Sequence, residues 1–125
     1  MKKYALILLT FFLASCEYEA QLSYKVKNNT TTKIKVISSY NKSQTDTFDI
    51  PANDQTTIAI IGKGLSSVDN YKEKGEKLRN FSIIAILKND TIKSNIDFLK
   101  TTRWIYNEKN AHSADYILTV LQTDF

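Results

Sequence analysis

The chain has few side chains that could form a catalytic or metal site. His112 is its only histidine and Cys16 its only cysteine, so several His and Cys ligands cannot assemble a zinc site within one chain. Ser113 and Asp115 stand beside His112, but the members of a hydrolytic triad converge from separate elements of a fold. The sequence therefore predicts no catalytic residues, no metal and no cofactor.

Two further features fall short of a chemical motif. Gly62, Lys63 and Gly64 have neither the spacing of a phosphate-binding loop nor a βαβ context, so a turn is the better interpretation. The 13 Asp and Glu residues are dispersed and form no evident acid and base pair. Asp97 lies beside Phe98, and it is the carboxylate that we single out as a candidate for burial.

Candidate binding residues occur in two stretches. Lys72, Lys74 and Lys77 could contact anionic glycans or lipid headgroups, although Glu73 and Glu76 offset their charge. These residues belong to a long loop, 62–80, that has no clear helix or strand pattern. Loops of this length are often functional, but a solvated connection is the preferred interpretation.

Trp104 and Tyr106 form the second candidate. They are two positions apart, so both face the same side if the segment is extended. An outward pair would stack on sugar rings, whereas an inward pair would anchor a core, and the core interpretation is favoured. Trp104 and Tyr106 are therefore candidate binding residues as well as candidate core residues.

The first fifteen residues have the layout of a secretory signal. Lys2 and Lys3 precede an apolar run that is shorter than the roughly 20 residues of a membrane-spanning helix. Residues 13–16, Leu-Ala-Ser-Cys, resemble the lipobox of bacterial lipoproteins. This resemblance implies cleavage between Ser15 and Cys16 and a diacylglyceryl group on the Cys16 thiol, which is the nucleophile.

The implied organisation is a signal peptide (1–15), a lipidated cysteine and tether (16–20) and one domain (21–125). Lipidation would explain the unpaired thiol of Cys16, and two or three acyl chains would hold the protein on a membrane permanently. We therefore expect an outer-membrane lipoprotein of the cell envelope. Whether it faces the periplasm or the cell surface is left open.

Composition fits one globular domain. Loss of Lys2 and Lys3 with the signal lowers the net charge from +4 to about +2, and the remaining basic residues are evenly spread. This charge is too small for a nucleic-acid-binding surface. The oligomeric state is undecided.

Alternating apolar and polar residues predict a β-rich domain. Leu22, Tyr24 and Val26 alternate with polar residues, as in a strand with one wet face. Further strands are predicted at 33–38, 45–50, 56–61, 81–87, 91–98 and 116–120, with a short extension at 101–106 and a polar link at 107–113. This spacing is typical of a sandwich or small barrel.

Scattered positions along the whole chain resemble small lipoproteins common in Bacteroidetes. They are the lipobox, Asn-Asn-Thr at 28–30, Trp104, the link with His112 and Ala114, and the closing stretch 116–125. The resemblance implies an all-β, antiparallel immunoglobulin-like sandwich of about seven strands and adds no activity.

A second resemblance concerns modification. Asp90, Thr91 and Ile92 resemble the three-residue O-glycosylation site of Bacteroidetes envelope proteins, which makes Thr91 a candidate acceptor.

Three functions follow from these features. The leading hypothesis is a non-enzymatic binding or structural module, anchored to the membrane through Cys16, with an unidentified protein or glycan partner. The second is a hydrolase of envelope polymers, which would need a cleft where a carboxylate, His112 and Trp104 converge. The third is an inhibitor or immunity-type lipoprotein that docks a protein on the 62–80 loop or on an edge strand.

Overall fold

Two four-stranded sheets pack face to face in the computed structural model, which describes residues 19–42, 44–62 and 67–125. The strands are Gln21–Asn29 (β1), Ile34–Tyr40 (β2), Thr45–Ile50 (β3), Gln55–Ile61 (β4), Phe81–Lys88 (β5), Ile92–Lys93 (β6), Trp104–Asn110 (β7) and Ser113–Leu121 (β8). One sheet, sheet I, has the order β4-β1-β8-β7, and the other, sheet II, has the order β3-β2-β5-β6. The prediction of an all-β fold is confirmed.

The expectation of purely antiparallel pairing is wrong for one strand pair. β1 and β8 run parallel from Gln21 opposite Ser113 to Asn29 opposite Leu121. A parallel pair needs a long crossover between its strands, and here the other six strands provide it. Alternation of apolar residues reports which face of a strand is buried but not its direction, so the sequence could not reveal this pairing.

The core lies between the two inner faces. Leu22, Tyr24 and Val26 of β1 are fully buried, as the alternation predicts. Sheet II contributes Val36 and Ile86, which are directly opposite each other in adjacent strands and are also fully buried. Burial of these apolar side chains is the main force that holds the sheets together.

Two predicted segments differ from the structure. Only Ile92–Lys93 of the expected strand at 91–98 pairs with β5, and the chain then leaves the sheet. The link predicted at 107–113 is instead largely strand, because β7 continues to Asn110. β7 is an edge strand of sheet I, so its unpaired edge meets solvent and residues 107–110 are polar. This run of polar residues hides the alternation that would identify a strand.

Two buried contacts mark the ends of the sandwich. At one end, Ala20 is fully buried, and a Cβ on Gly62 would lie 2.1 Å from the Ala20 carbonyl oxygen. We call this the tether end, because β1 begins there. At the other end, the buried Asn28 side chain donates hydrogen bonds to the carbonyls of Ile50 and Thr32, which joins the end of β1 and the β1–β2 connection to the end of β3 in sheet II.

Helical structure in the described part of the chain is limited to short 3₁₀ turns at Val68–Tyr71, Thr101–Arg103 and Gln122–Asp124. No helix there has the length and apolar character needed to cross a bilayer.

Candidate functional site

The residues considered for catalysis do not converge. Trp104 begins β7, whereas His112 lies in the turn that follows the far end of β7. The Asp115 carboxylate faces away from the core and bonds Lys25 Nζ and Lys109 Nζ, each at 3.1 Å. A cleft formed by a carboxylate, His112 and Trp104 is therefore absent from the described residues, and the hydrolase constellation is not formed.

Asp97 is likewise held in a structural ion pair. Asp97 Oδ1 accepts a hydrogen bond from the Leu99 N–H at 3.1 Å, and its Oδ2 pairs with Lys77 Nζ at 3.2 Å. These contacts hold the pKa of Asp97 below its usual value, so it is an ordinary ionised side chain. Among the described residues, no group of three or more His, Cys, Asp or Glu side chains could hold a metal ion.

Trp104 belongs to the core. Only 5% of its surface is exposed, its ring edge packs on Tyr24, and its Nε1–H donates to the Phe98 carbonyl at 2.8 Å. Its inclusion among the binding residues is thus corrected in favour of the core interpretation. The alternation of β7 turns Trp104 inward, and its buried indole N–H is hydrogen-bonded, as buried tryptophan N–H groups usually are.

Tyr106 follows Trp104 on the same inner face but lies nearer the flank of the sandwich. Lys72 Nζ lies 4.5 Å from the centre of its ring, a cation–π contact. Burial, together with the nearby charges of Glu108 and Asp69, raises the pKa of Tyr106 to about 12. Lys72 and Tyr106 thus come together as predicted candidates, but they contact each other and present no open stacking face.

Residues 67–80, which we call the flank segment, close the side of the sandwich beside β7. The Val68 N–H donates to the Ala111 carbonyl at 2.9 Å, and the Leu78 N–H donates to the Leu99 carbonyl at 2.9 Å. Val68 and Leu78 are buried. The preferred interpretation of this stretch as a solvated connection is therefore wrong for the flank segment, because both ends pack on the core.

A buried carboxylate fixes the middle of the flank segment. The Glu73 side chain is 1% exposed and accepts hydrogen bonds from Tyr24 Oη at 2.7 Å and from Arg79 Nε at 3.2 Å. The Glu73 N–H donates to Tyr116 Oη at 2.9 Å. Burial and the hydrogen bond to Glu73 raise the pKa of Tyr24 far above its usual value. Glu73 consequently adds little negative charge to the exposed surface.

The other two lysines of the candidate surface line an open groove of about 610 Å³, which we call the lysine groove. Its residues are Lys74, Gly75, Glu76, Lys77, Lys100, Thr101 and Thr102. Lys77 and Lys100 are partners in an isolated antiparallel bridge, which places the two lysines on adjacent strands of backbone. Lys100 and Thr102 could not be predicted as part of this site, because no local sequence pattern pairs residues more than 20 positions apart.

Of the predicted modification sites, Thr91 can be located. It is exposed and follows Asn89 and Asp90, whose positive φ angles of 49° and 60° form the turn between β5 and β6. Ser15 and Cys16, with the expected cleavage and lipidation, lie outside the described residues.

Comparison of the chain with protein-family models, curated proteins and solved structures finds no match.

Proposed function

We propose that this chain is a lipid-anchored, non-enzymatic β-sandwich that binds a partner at the cell envelope. The observation that carries the proposal is how soon the fold begins after Cys16. Ala20 is fully buried, and the Gln21 N–H donates to the His112 carbonyl at 2.8 Å. Since one extended residue covers at most about 3.5 Å, the Cα atom of Ala20 lies within about 14 Å of the Cα atom of the lipid-bearing Cys16.

From so short a tether we infer which end of the sandwich faces the membrane. The tether end contains the start of β1, Gly62 and the β2–β3 turn at Asn41 and Lys42, and these face the lipid layer. The opposite end, with Asn28 and Thr91, faces away. The flanks of the sandwich, including the lysine groove, are open to a partner.

An immunoglobulin-like topology is part of the proposal. The order β6-β5-β2-β3 matches the G-F-C-C′ sheet of a variable-type domain, and the neighbours β1 and β4 match its strands B and E. β8 takes the place of strand A beside β1 but runs parallel to it, and β7 extends the sheet beyond it. We infer an immunoglobulin-like sandwich that is completed by a C-terminal hairpin.

A protein-binding role of the inhibitor or immunity type is the second candidate, and the edge of β5 favours it. β5 pairs with β2 along most of its length but with β6 only at Leu87 and Lys88. The Ser94 N–H still donates to the Ile86 carbonyl at 2.9 Å, and beyond Ile86 the edge borders a groove of about 410 Å³ that includes Ile83, which is 48% exposed. An extended protein segment could pair there. A cross-linked pull-down that yields no stoichiometric protein would count against this candidate.

Membrane fractionation tests the anchor. The unsubstituted chain should sediment with envelope membranes and stay there in high salt, because acyl chains and not charges hold it. Cys16→Ala should release it into the soluble fraction. A matched control combines Cys16→Ala with Ser23→Cys, which keeps one cysteine but at a position on the outer face of β1. If either variant stays with the membranes, lipidation of Cys16 is not the anchor.

Protease treatment of intact cells then decides which way the domain faces. Digestion of the chain in intact cells assigns it to the cell surface, and digestion only after the outer membrane is opened assigns it to the periplasm.

A further inference from the structure

We propose that the lysine groove binds a polysaccharide chain that carries carboxylate or sulfate groups. The proposal deepens the proposed function, since it names the partner class of the anchored module, and it rests on that function only for the location of the polysaccharide in the envelope.

The charges of the groove favour an anionic ligand. Lys77 is paired with Asp97, whereas Lys74 and Lys100 have no acidic group within ion-pair distance among the described residues. Glu76 is the one carboxylate in the groove lining itself. Asp97 also interacts electrostatically with Lys100 at a longer distance, but in the described part of the chain neither Lys74 nor Lys100 has its ammonium group in an ion pair, so both can form charge-assisted hydrogen bonds to an anionic ligand.

The backbone that carries these lysines is held in place. The Thr101 N–H donates to the Glu76 carbonyl at 2.9 Å, and Thr101 Oγ1 donates to the Gly75 carbonyl at 2.8 Å. Close by, the buried Glu73 carboxylate accepts from Tyr24 and ties the same segment to β1. A ligand would thus meet a preformed site and lose less free energy to ordering of the protein.

The lining of the groove argues for a polar polymer and against a protein. It contains no large apolar or aromatic side chain, whereas the residues that dominate protein interfaces are buried aromatic and arginine anchors. Lysine is depleted at the centres of such interfaces. The hydroxyl of Thr102 suits the hydroxyl groups of a sugar chain, and the absence of a side chain at Gly75 leaves room for a sugar ring.

The position of the groove argues against membrane headgroups. Thr101 and Thr102 lie three and two positions before Trp104. Trp104 is opposite Leu118 in β8, and Leu118 is opposite Val26 in β1. Val26 is five positions beyond the start of β1 at the tether end, a distance of about 17 Å at the rise of a strand. The groove therefore lies well above the lipid surface, on the flank of the domain.

Calorimetric titration of the full chain in a neutral detergent tests the proposal, with polygalacturonate as the carboxylated probe and dextran sulfate as the sulfated probe. At least one of the two should bind, more weakly as sodium chloride rises from about 50 to about 300 mM. The double variant Lys74→Ala and Lys100→Ala should lose roughly tenfold or more in affinity. Neutral dextran should not bind.

Lys27→Ala is the matched control, because Lys27 is an exposed lysine on β1, away from the groove. Its affinity should stay within about twofold of the unsubstituted chain. Circular dichroism of all variants verifies that they are folded. If the double variant binds as tightly as the control, if neither probe binds, or if polyglutamate binds as tightly as the better polysaccharide, the proposal is overturned.

These results are independent of the anchor, since they are measured on purified protein. Failure of membrane fractionation with intact polysaccharide binding would overturn the anchor alone.

Discussion

The phenol of Tyr24 donates a hydrogen bond of 2.7 Å to Glu73 Oε1, although 49 positions separate the two residues. Tyr24 lies in the middle of β1 and packs against the rings of Phe81, Trp104 and Tyr116. Through this bond the centre of the core holds the flank segment that carries the lysines. The lysine groove therefore depends on a buried contact that is not itself in the groove.

Removing Glu73 should destabilise the domain. In Glu73→Ala, the Tyr24 hydroxyl loses its acceptor and the Arg79 guanidinium loses its carboxylate partner. We expect the free energy of unfolding in urea to fall by about 2–4 kcal/mol. Glu76→Ala, at an exposed position in the same segment, should change it by no more than about 0.5 kcal/mol. Equal effects of the two substitutions would contradict the assigned role of Glu73.

Asp115 should make folding sensitive to acid. Burial alone would raise the pKa of its carboxyl, but hydrogen bonds from Lys109 and Lys25 outweigh burial and lower the pKa. A lowered pKa in the folded state means that the stabilisation is present above the unfolded value of 3.8 and is lost as the pH falls through the folded value. Asp115→Asn should therefore cost about 1–3 kcal/mol at neutral pH.

Unfolding curves measured from pH 7 down to about pH 2 test whether the stabilisation by Asp115 is lost in acid. The difference between the Asp115→Asn variant and the unsubstituted chain should shrink in acid. Asp49→Asn is the control, because the Asp49 side chain is 55% exposed and its ion pair with Lys33 is long, at 4.0 Å. Its effect should be below about 1 kcal/mol at every pH. A difference for Asp115 that stays constant with pH would be inconsistent with the ion pairs.

Two glycines should respond differently to alanine. A Cβ at Gly62 would lie 2.1 Å from the Ala20 carbonyl oxygen, so the main chain must shift, and Gly62→Ala should cost about 1–3 kcal/mol. A Cβ at Gly75 would meet nothing closer than 3.8 Å, so Gly75→Ala should change stability by less than about 1 kcal/mol. Thermal unfolding of the two variants compares them directly. Equal melting temperatures would mean that Gly62 and Ala20 are not in contact.

Trp104 should report on the core as the only tryptophan of the chain. Its fluorescence should be blue-shifted and poorly quenched by acrylamide in the folded state, because the ring is 5% exposed. Trp104→Phe removes the N–H that the Phe98 carbonyl accepts and should cost about 1–3 kcal/mol in urea unfolding. Emission typical of a water-exposed indole would contradict the burial.

The sequence was most informative where one face of a strand is buried. Leu22, Tyr24 and Val26 alternate because the sheet alternates, and β1 could be predicted from them. β7 can be predicted only in part, since its edge position allows polar residues on both sides and leaves no alternation at 107–110.

The candidate site was less predictable because its contacts are distant in sequence. The charged run around Glu73 has the composition of a solvated loop, yet Tyr24 and Arg79 sequester its carboxylate. Lys77 was a predicted candidate, but the bridge that brings Lys100 beside it depends on the packing of two irregular segments. Local patterns carry no information on such pairings.

Mass spectrometry of the mature N-terminus tests the central claim, a lipid anchor on Cys16, most directly. The protein is purified from the envelope of a lipoprotein-processing bacterium and digested with trypsin, which cuts after Lys25. We predict a peptide that begins at Cys16, ends at Lys25 and carries a thioether-linked diacylglyceryl group. A peptide that begins at any other residue, or at Cys16 with an unmodified thiol, would contradict the account.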